Sequence, residues 1–497
     1  MNIAMQSWRK PMTLDHRRAP LIDALRRYVE DDVLPFSTPG HKRGMSVDPE
    51  FAELVGRRFL SVDIPTCGGV DDTHRTSDIL GVAETYAADA WGADRTFFLV
   101  NGSSAGNHGF MLATIRPGDT VIVARDVHKS LMVALLLAGA KPVYVAQRLH
   151  PELSVGMGID PADVAAALDA HPEARLVALV SPSYCGVPSD LAAIADIAHA
   201  RGVPVYADEA WGPHFAFHPD LPPSAMSCGV DGAVASTHKI LGAFTQSAVL
   251  NLQGPLVDVG RINSALAMVQ TTSPMATIYV SIDACRRQMA LDGHELLTSA
   301  IALAADARRR LQAIPGVGVL DAVQLGIGSY DLTKLVIDVD GLGITGFEAE
   351  AILRDQHHLQ VEMSDLMSVV CIISIGDTEE SIERLVRAFE AIAAAGPGTR
   401  RPGAHLRSSG AAIAPGEQAM TPHDAYFAAA SAIPLERAVG RVSAELVIPY
   451  PPGIPVLVPG DVVTKDKIAY LLEGAANGMY FSGPADGSLR TLRVVDR

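Results

Sequence analysis

RTFFLV (95–100), TVIVA (120–124), KPVYVA (141–146), RLVALV (175–180) and VPVYAD (203–208) are five short apolar runs in the first half of the chain. Between them lie GNHGFMLATI (106–115), HKSLMVALLLAG (128–139), PADVAAALDA (161–170) and DLAAIADIAHARG (190–202), which read as helices. Runs that are apolar throughout suit strands buried on both faces. Alternation of strands and helices at this spacing predicts an α/β domain: a mainly parallel sheet with helices on both faces. Ligands in such sheets gather at the carboxyl ends of the strands. The residues just after each run are therefore the candidates for chemistry.

Working outward, PLIDALRRYVEDDV (20–33) reads as an amphipathic helix that runs into the loop PFSTPGHK (35–42). Beyond residue 290 the alternation loosens. Leu296 to Leu311 looks helical, followed by strand KLVIDVDG (334–341), helix FEAEAILRDQ (347–356), strand VVCIISIGD (369–377) and helix EESIERLVRAFEAIAAAG (379–396). The expected division is an N-terminal segment 1–45, a large domain 46–290, a smaller α+β domain 291–395, a Gly/Pro/Ala/Ser-rich linker 396–418, and a C-terminal α+β domain 419–497.

With 497 residues, 48% of them hydrophobic and 19% charged, the chain can bury a large core. The formal charge is −16 and no basic stripe is present, which argues against nucleic acid as a partner. Cys67, Cys185, Cys228, Cys285 and Cys371 are scattered and never form a CxxC pair, arguing against a zinc site and for a reducing compartment. The N-terminal MNIAMQSWRKPMTLDHRR has no apolar core of signal-peptide length, and the greasiest stretch, Leu131 to Ala140, is about half a membrane span. A cytoplasmic protein that does not enter membranes is expected.

The chemistry centres on Ser236-Thr237-His238-Lys239. Lys239 lies thirty-one residues after Asp208, which closes the last of the five runs. A lysine and an upstream strand-end carboxylate suggest pyridoxal phosphate (PLP). Its aldehyde needs an amine, and its ring nitrogen needs an anion to stay protonated. The chain has eight lysines, and Lys42, Lys129 and Lys239 all follow a histidine, so position rather than the HK pair singles out Lys239. Asp208 is costly at the end of an apolar strand unless paired; capping the next helix is its plainer role, and Glu209 is the alternative acid. The turn Asn101-Gly102-Ser103-Ser104-Ala105-Gly106-Asn107 sits between strand and helix, where backbone N–H groups and serine hydroxyls hold a phosphate. His128 is placed to stack flat on a pyridine ring, or only to pack at a helix start. Ser183 is placed to donate to the PLP phenolic oxygen, or only to close a strand-end turn. Trp211 and His214 follow Asp208 and could line the pocket.

In order, PFSTPGHKRG (35–44), FFLVNGSSAGN (97–107), DVHKS (126–130), SPSYCG (181–186), ADEAWGPHF (207–215), STHKILGAFTQ (236–246), TTSP (271–274), ISIGDT (373–378) and PYPPGIPVLVPG (449–460) resemble the Orn/Lys/Arg decarboxylase family of fold-type I PLP enzymes. The match spans nearly the whole chain and is closest to the family's short form, without its response-regulator-like N-terminal domain. It implies an aspartate aminotransferase-like large domain, a smaller α+β domain and a C-terminal α+β domain. It also implies roles. Lys239 would hold PLP as a Schiff base, Asp208 would face the ring nitrogen, and His128 would stack on the ring. Ser103, Ser104, the Ala105 backbone and Ser236 would hold the phosphate; Ser183 and Trp211 would line the cofactor; His238 would lie beside the reacting carbon. The implied reaction is decarboxylation of a basic amino acid, arginine before lysine or ornithine, to an amine that feeds polyamine synthesis. The implied assembly is a homodimer or higher even oligomer with shared active sites, TTSP being the candidate contribution from the partner. Another PLP reaction (aldolase or aminotransferase) and a non-catalytic regulatory homologue are the alternatives. Four acids are candidates for the substrate's distal cation, each with a solvated surface charge as its plainer reading: Glu362, Asp365, Glu445 and Asp461. Asp461 replaces the family's Glu after Pro-Gly, and its shorter reach would alter length preference.

Overall fold

The computed structural model describes residues 14–66, 79–150, 153, 155–396, 398, 414–450 and 453–496. Cys67, most of the expected linker and two residues of the PYPPGIP run, Pro451 and Pro452, lie outside them. The five apolar runs form strands β1 (Arg95–Leu99), β2 (Thr120–Ala124), β3 (Lys141–Val145), β4 (Leu176–Val180) and β5 (Val205–Asp208). They are joined by β6 (Gly232–Ala235) and β7 (Ala248–Leu252) in a seven-stranded sheet of order β1-β7-β6-β5-β4-β2-β3. Only β7 runs antiparallel to its neighbours. Every residue of β2, β4, β5, β6 and β7 is buried, which is why these strands read as unbroken apolar runs.

Register places the chemistry. Asp208 is level with Val180 of β4 and Val234 of β6, so the segments after Val180, Asp208 and Ala235 emerge side by side at one edge. The Gly102–Thr114 helix leaves β1 at the same edge and lies close on the sheet. Its Gly106 makes that approach possible: a Cβ there would stand 2.6 Å from Val234 Cγ2. The helix N-terminus is thereby held beside the residues after β6.

The smaller domain is an antiparallel sheet of order β10-β11-β9-β8, built from β8 (Gly318–Val319), β9 (Lys334–Asp338), β10 (Met363–Ser364) and β11 (Ser368–Ile372). One continuous helix, Ala276–Gln312, runs from the large domain into it. The helix expected at Leu296 to Leu311 is its second half, and residues 290 and 291 sit within it rather than at a break. In the C-terminal region β12 (Ala430–Pro434) pairs with β15 (Thr491–Val495), and β13 (Ile448–Tyr450) with β14 (Tyr480–Ser482), around Leu435, Val447, Leu457, Leu471 and Leu492. Arg125 anchors this region to the sheet. Its guanidinium donates to the carbonyls of Pro455 (2.6 Å) and Val456 (3.1 Å) and pairs with Asp461 (3.2 Å), which also pairs with Lys467 (2.9 Å). No helix among the described residues is long and apolar enough to cross a membrane. Cys185, Cys228, Cys285 and Cys371 are free thiols.

Candidate active site

A cavity of about 360 Å³ opens at the carboxyl edge of the sheet, a size suited to a small ligand. Lys239, Asp208, His128, Ser103, Ser104, Ser236, His238 and Trp211 all line it. Residues scattered over 137 positions of sequence, from Ser103 to Lys239, are thus brought to one place by strand order.

At one end the Ser103 and Ser236 hydroxyls are 2.6 Å apart, beside the N-terminus of the Gly102–Thr114 helix. Gly102 there has φ +71°, the left-handed conformation that a side chain would strain. Two hydroxyls and a helix N-terminus favour an anion. Across the cavity, the Asp208 carboxylate accepts from Asn107 Nδ2 (2.9 Å) and the Ala210 N–H (3.2 Å), so it is buried but oriented. His128 caps the Lys129–Ala138 helix; its Nδ1 meets the Ser130 hydroxyl (2.8 Å) and accepts from the Ser130 N–H (3.3 Å). Burial outweighs the pull of Asp208 and holds the His128 ring neutral, well below the usual imidazole range.

Lys239 Nζ lies 3.7 Å from the centre of the Trp211 ring. Burial lowers its pKa to about 8 against the opposing pull of Asp208 and Glu362, which raises the share of free, nucleophilic amine. His238 directs Nδ1 to the Ser247 carbonyl at 2.7 Å, leaving Nε2 for the cavity. Burial lowers its pKa as well.

Other candidates are placed elsewhere. Ala105 is buried in its helix and does not line the cavity. Ser183 closes the turn after β4, its Oγ accepting from the Val187 N–H at 3.2 Å, and it is off the cavity wall. His214 is fully buried against Asp331 (3.2 Å) and Thr333 (3.3 Å). Glu209 turns away from the cavity to accept from the Ala225 N–H (2.7 Å), and burial raises its carboxyl to about 8. Of the four acids considered for a distal cation, only Glu362 lines the cavity. Asp461 is held by Arg125 and Lys467, and Glu445 accepts from the Ala485 and Arg493 N–H groups (2.8 Å each). Asp365 shapes the turn before β11. The idea that Asp461 reaches the substrate is therefore corrected: its carboxylate is committed to the C-terminal anchor.

Sequence reasoning missed three contributors. In the sequence Asn107 is only part of the phosphate turn; in the structure it holds Asp208. Lys334, at the start of β9, is fully buried with Nζ 3.4 Å from the centre of the Trp211 ring. Burial lowers its pKa to about 7. Nothing in KLVIDVDG marks it, because its partner ring comes from another domain. The third is the place of the PYPPGIP segment, which carries the resemblance but has no site role in the sequence. Tyr450 lines the cavity, the Gly453 carbonyl accepts from the Lys129 N–H (3.2 Å), and a Cβ on Gly453 would stand 3.3 Å from His128 Cδ2.

The residues present fit PLP. An anion cup, a buried amine and an oriented carboxylate surround one cavity. Among the described residues, the buried Trp211 Nε1 and Thr237 Oγ1 have no hydrogen-bond partner.

Two family models match: Orn/Lys/Arg decarboxylase, major domain, over residues 19–328, and its C-terminal domain over residues 408–483. An arginine decarboxylase of Halalkalibacterium halodurans is 39% identical over 483 residues (96% of this chain, 98% of that protein), and one of Bacillus subtilis is 38% identical over 485 (97% and 99%). Among solved structures, a Francisella novicida lysine decarboxylase superposes with a TM-score of 0.83 at 22% identity, covering 96% of this chain and 81% of that one. With matched models over both parts and relatives of this identity over nearly its full length, the chain belongs to the Orn/Lys/Arg decarboxylase family.

Proposed function

We propose that this chain is a PLP-dependent decarboxylase of a basic L-amino acid, with arginine the preferred substrate. One observation carries the reading: the amine of Lys239 and the carboxylate of Asp208 line a single cavity whose end is an anion cup. The names of the relatives at 38–39% identity put arginine ahead of lysine and ornithine.

PLP, when bound, supplies a protonated ring that takes up the electron pair left as carbon dioxide departs. The protein's own residues do the rest. Ser103, Ser104, Ser236 and the helix N-terminus would hold the phosphate. Asp208 would keep a proton on the ring nitrogen. The neutral His128 ring would pack beside the cofactor without adding a charge. Lys239 Nζ would supply the amine that holds the aldehyde. A proton returns to the α-carbon from Lys239 Nζ, or from His238 Nε2 once that nitrogen has taken one up, since the neutral ring keeps its proton on Nδ1 against the Ser247 carbonyl. Glu362, facing the cavity, takes the substrate's distal cation.

The chain works as a homodimer. Leu34, Phe36, Met45 and Leu54 present large apolar surface on the N-terminal segment and the helix that follows it, of the kind that partner subunits cover. Thr271 and Ser273 are exposed beside Asn101, whose Oδ1 accepts from the Thr271 N–H (2.8 Å), so TTSP sits at the rim that a second copy would share.

The test is incubation of PLP-loaded protein with arginine, lysine and ornithine, measuring carbon dioxide and identifying the amine. Agmatine as the main product supports the reading. Keto-acid formation instead would move the assignment to transamination, and protein that binds no PLP would make it a non-catalytic homologue.

A further inference from the structure

From behind the cavity wall, Asn107 and Tyr206 extend a hydrogen-bonded chain to Ser130, Asp208 and His128. Asn107 and Tyr206 are both fully buried. The Tyr206 hydroxyl donates to Asn107 Oδ1 at 2.7 Å. With Oδ1 so engaged, the amide can turn only its Nδ2 toward the other side. Nδ2 donates to Asp208 Oδ2 (2.9 Å) and to the Ser130 hydroxyl (2.8 Å). Because Ser130 Oγ accepts there, its own proton is left to donate to His128 Nδ1 (2.8 Å). That bond, with the Ser130 N–H on the same atom, leaves the His128 ring proton on Nε2. Tyr206 is itself fixed by stacking on Phe110, ring centres 4.2 Å apart.

We infer that Asn107, oriented by Tyr206, is the positioning residue that couples the two cofactor-facing side chains: it holds the Asp208 carboxylate toward the ring nitrogen and, through Ser130, sets the tautomer of His128. A reversed amide would aim Oδ1 at a carboxylate and leave both Ser130 and the phenol mispaired. A buried network in which every member is satisfied favours one arrangement strongly over its alternatives. Neither Asn107 nor Tyr206 lines the cavity, so each acts through another residue.

The inference rests on the PLP reading above, and the experiment separates the two. PLP dissociation constants are measured for wild type, Asn107→Ala, Tyr206→Phe, the double variant and Ser130→Ala. The visible absorption of each holoprotein is recorded, and melting of each apoprotein serves as the folding check. Asn107→Ala should weaken PLP binding by about 10- to 100-fold, the range for a lost hydrogen bond to a charged group, and Tyr206→Phe by about fivefold. The double variant should match Asn107→Ala within about twofold, because Tyr206 acts only through that amide. The visible band should shift in Asn107→Ala as protonation of the ring nitrogen is lost. Multiplying effects in the double variant, or a folded Asn107→Ala with wild-type affinity and spectrum, overturns the inference. Should Asn107→Ala not fold, Tyr206→Phe and Ser130→Ala decide: wild-type affinity and spectrum in both also overturn it. Wild-type protein that binds no PLP fails the cofactor reading instead.

Discussion

Asp461→Asn tests the anchor between the C-terminal region and the cofactor edge. The Asp461 carboxylate meets Lys467 Nζ at 2.9 Å, Arg125 at 3.2 Å and the Val458 N–H at 3.2 Å. All three charged side chains are at most 2% exposed. The asparagine keeps the shape but removes the carboxylate that pairs both buried cations among the described residues. Removing one partner of a buried ion pair costs about 3–5 kcal/mol, because the remaining charge stays desolvated. Lys467 relieves part of this by giving up its proton, which burial already disfavours, so the lower end of that range is expected near neutral pH. Urea denaturation of the apoprotein reads the loss. Adding Lys467→Met should restore part of it, since one stranded cation is gone. Arg125 stands three residues before His128, and Gly453 lies close enough to that ring that a Cβ on it would be 3.3 Å away, so Asp461→Asn should also weaken PLP binding. A stability within about 1 kcal/mol of wild type would refute the reasoning, because a buried triad cannot lose its only anion so cheaply.

Three further outcomes are expected. Lys334→Met should flatten the pH dependence of apoprotein stability. Burial lowers this amine from 10.5 to about 7, so its penalty is full below pH 7 and is relieved as pH rises to 10.5. The relief is about 1.4 kcal/mol per pH unit, and urea midpoints across that window measure it. Glu362→Gln should raise KM for arginine about tenfold, the loss of a charge-assisted hydrogen bond, while leaving PLP affinity unchanged; an unchanged KM removes Glu362 from substrate recognition. Gly453→Ala should reduce PLP affinity, because Gly453 sits at φ +90° with its Cβ position 3.3 Å from His128; equal affinity would show that the loop yields without moving the ring.

The sheet was legible because strands buried on both faces are apolar throughout, as in TVIVA and RLVALV. Strand ends were legible for the same reason: Asp208 and Ser236 interrupt such runs. Strand β7 left less trace, since an antiparallel strand inserted between β1 and β6 follows no alternation rule. The sequence shows only the second half of the Ala276–Gln312 helix because its first half faces the large domain and its second half the small one, so no single apolar stripe runs its length. Tertiary pairings were the least visible. Asn107 looked like one more small polar residue in a glycine-rich turn. Asp461 looked like a substrate contact until its two cations, one of them 336 positions away, were in place. Lys334 lacks any local signal, and only the docking of the small domain against Trp211 shows what surrounds it.

The most direct measurement is borohydride reduction of the PLP-loaded protein followed by peptide mapping. The expected result is a single label on Lys239, with both label and amine production from arginine lost in Lys239→Ala. A label on Lys334, Lys129 or Lys42, or trapping that survives Lys239→Ala, would contradict the assignment of Lys239 as the amine that holds PLP.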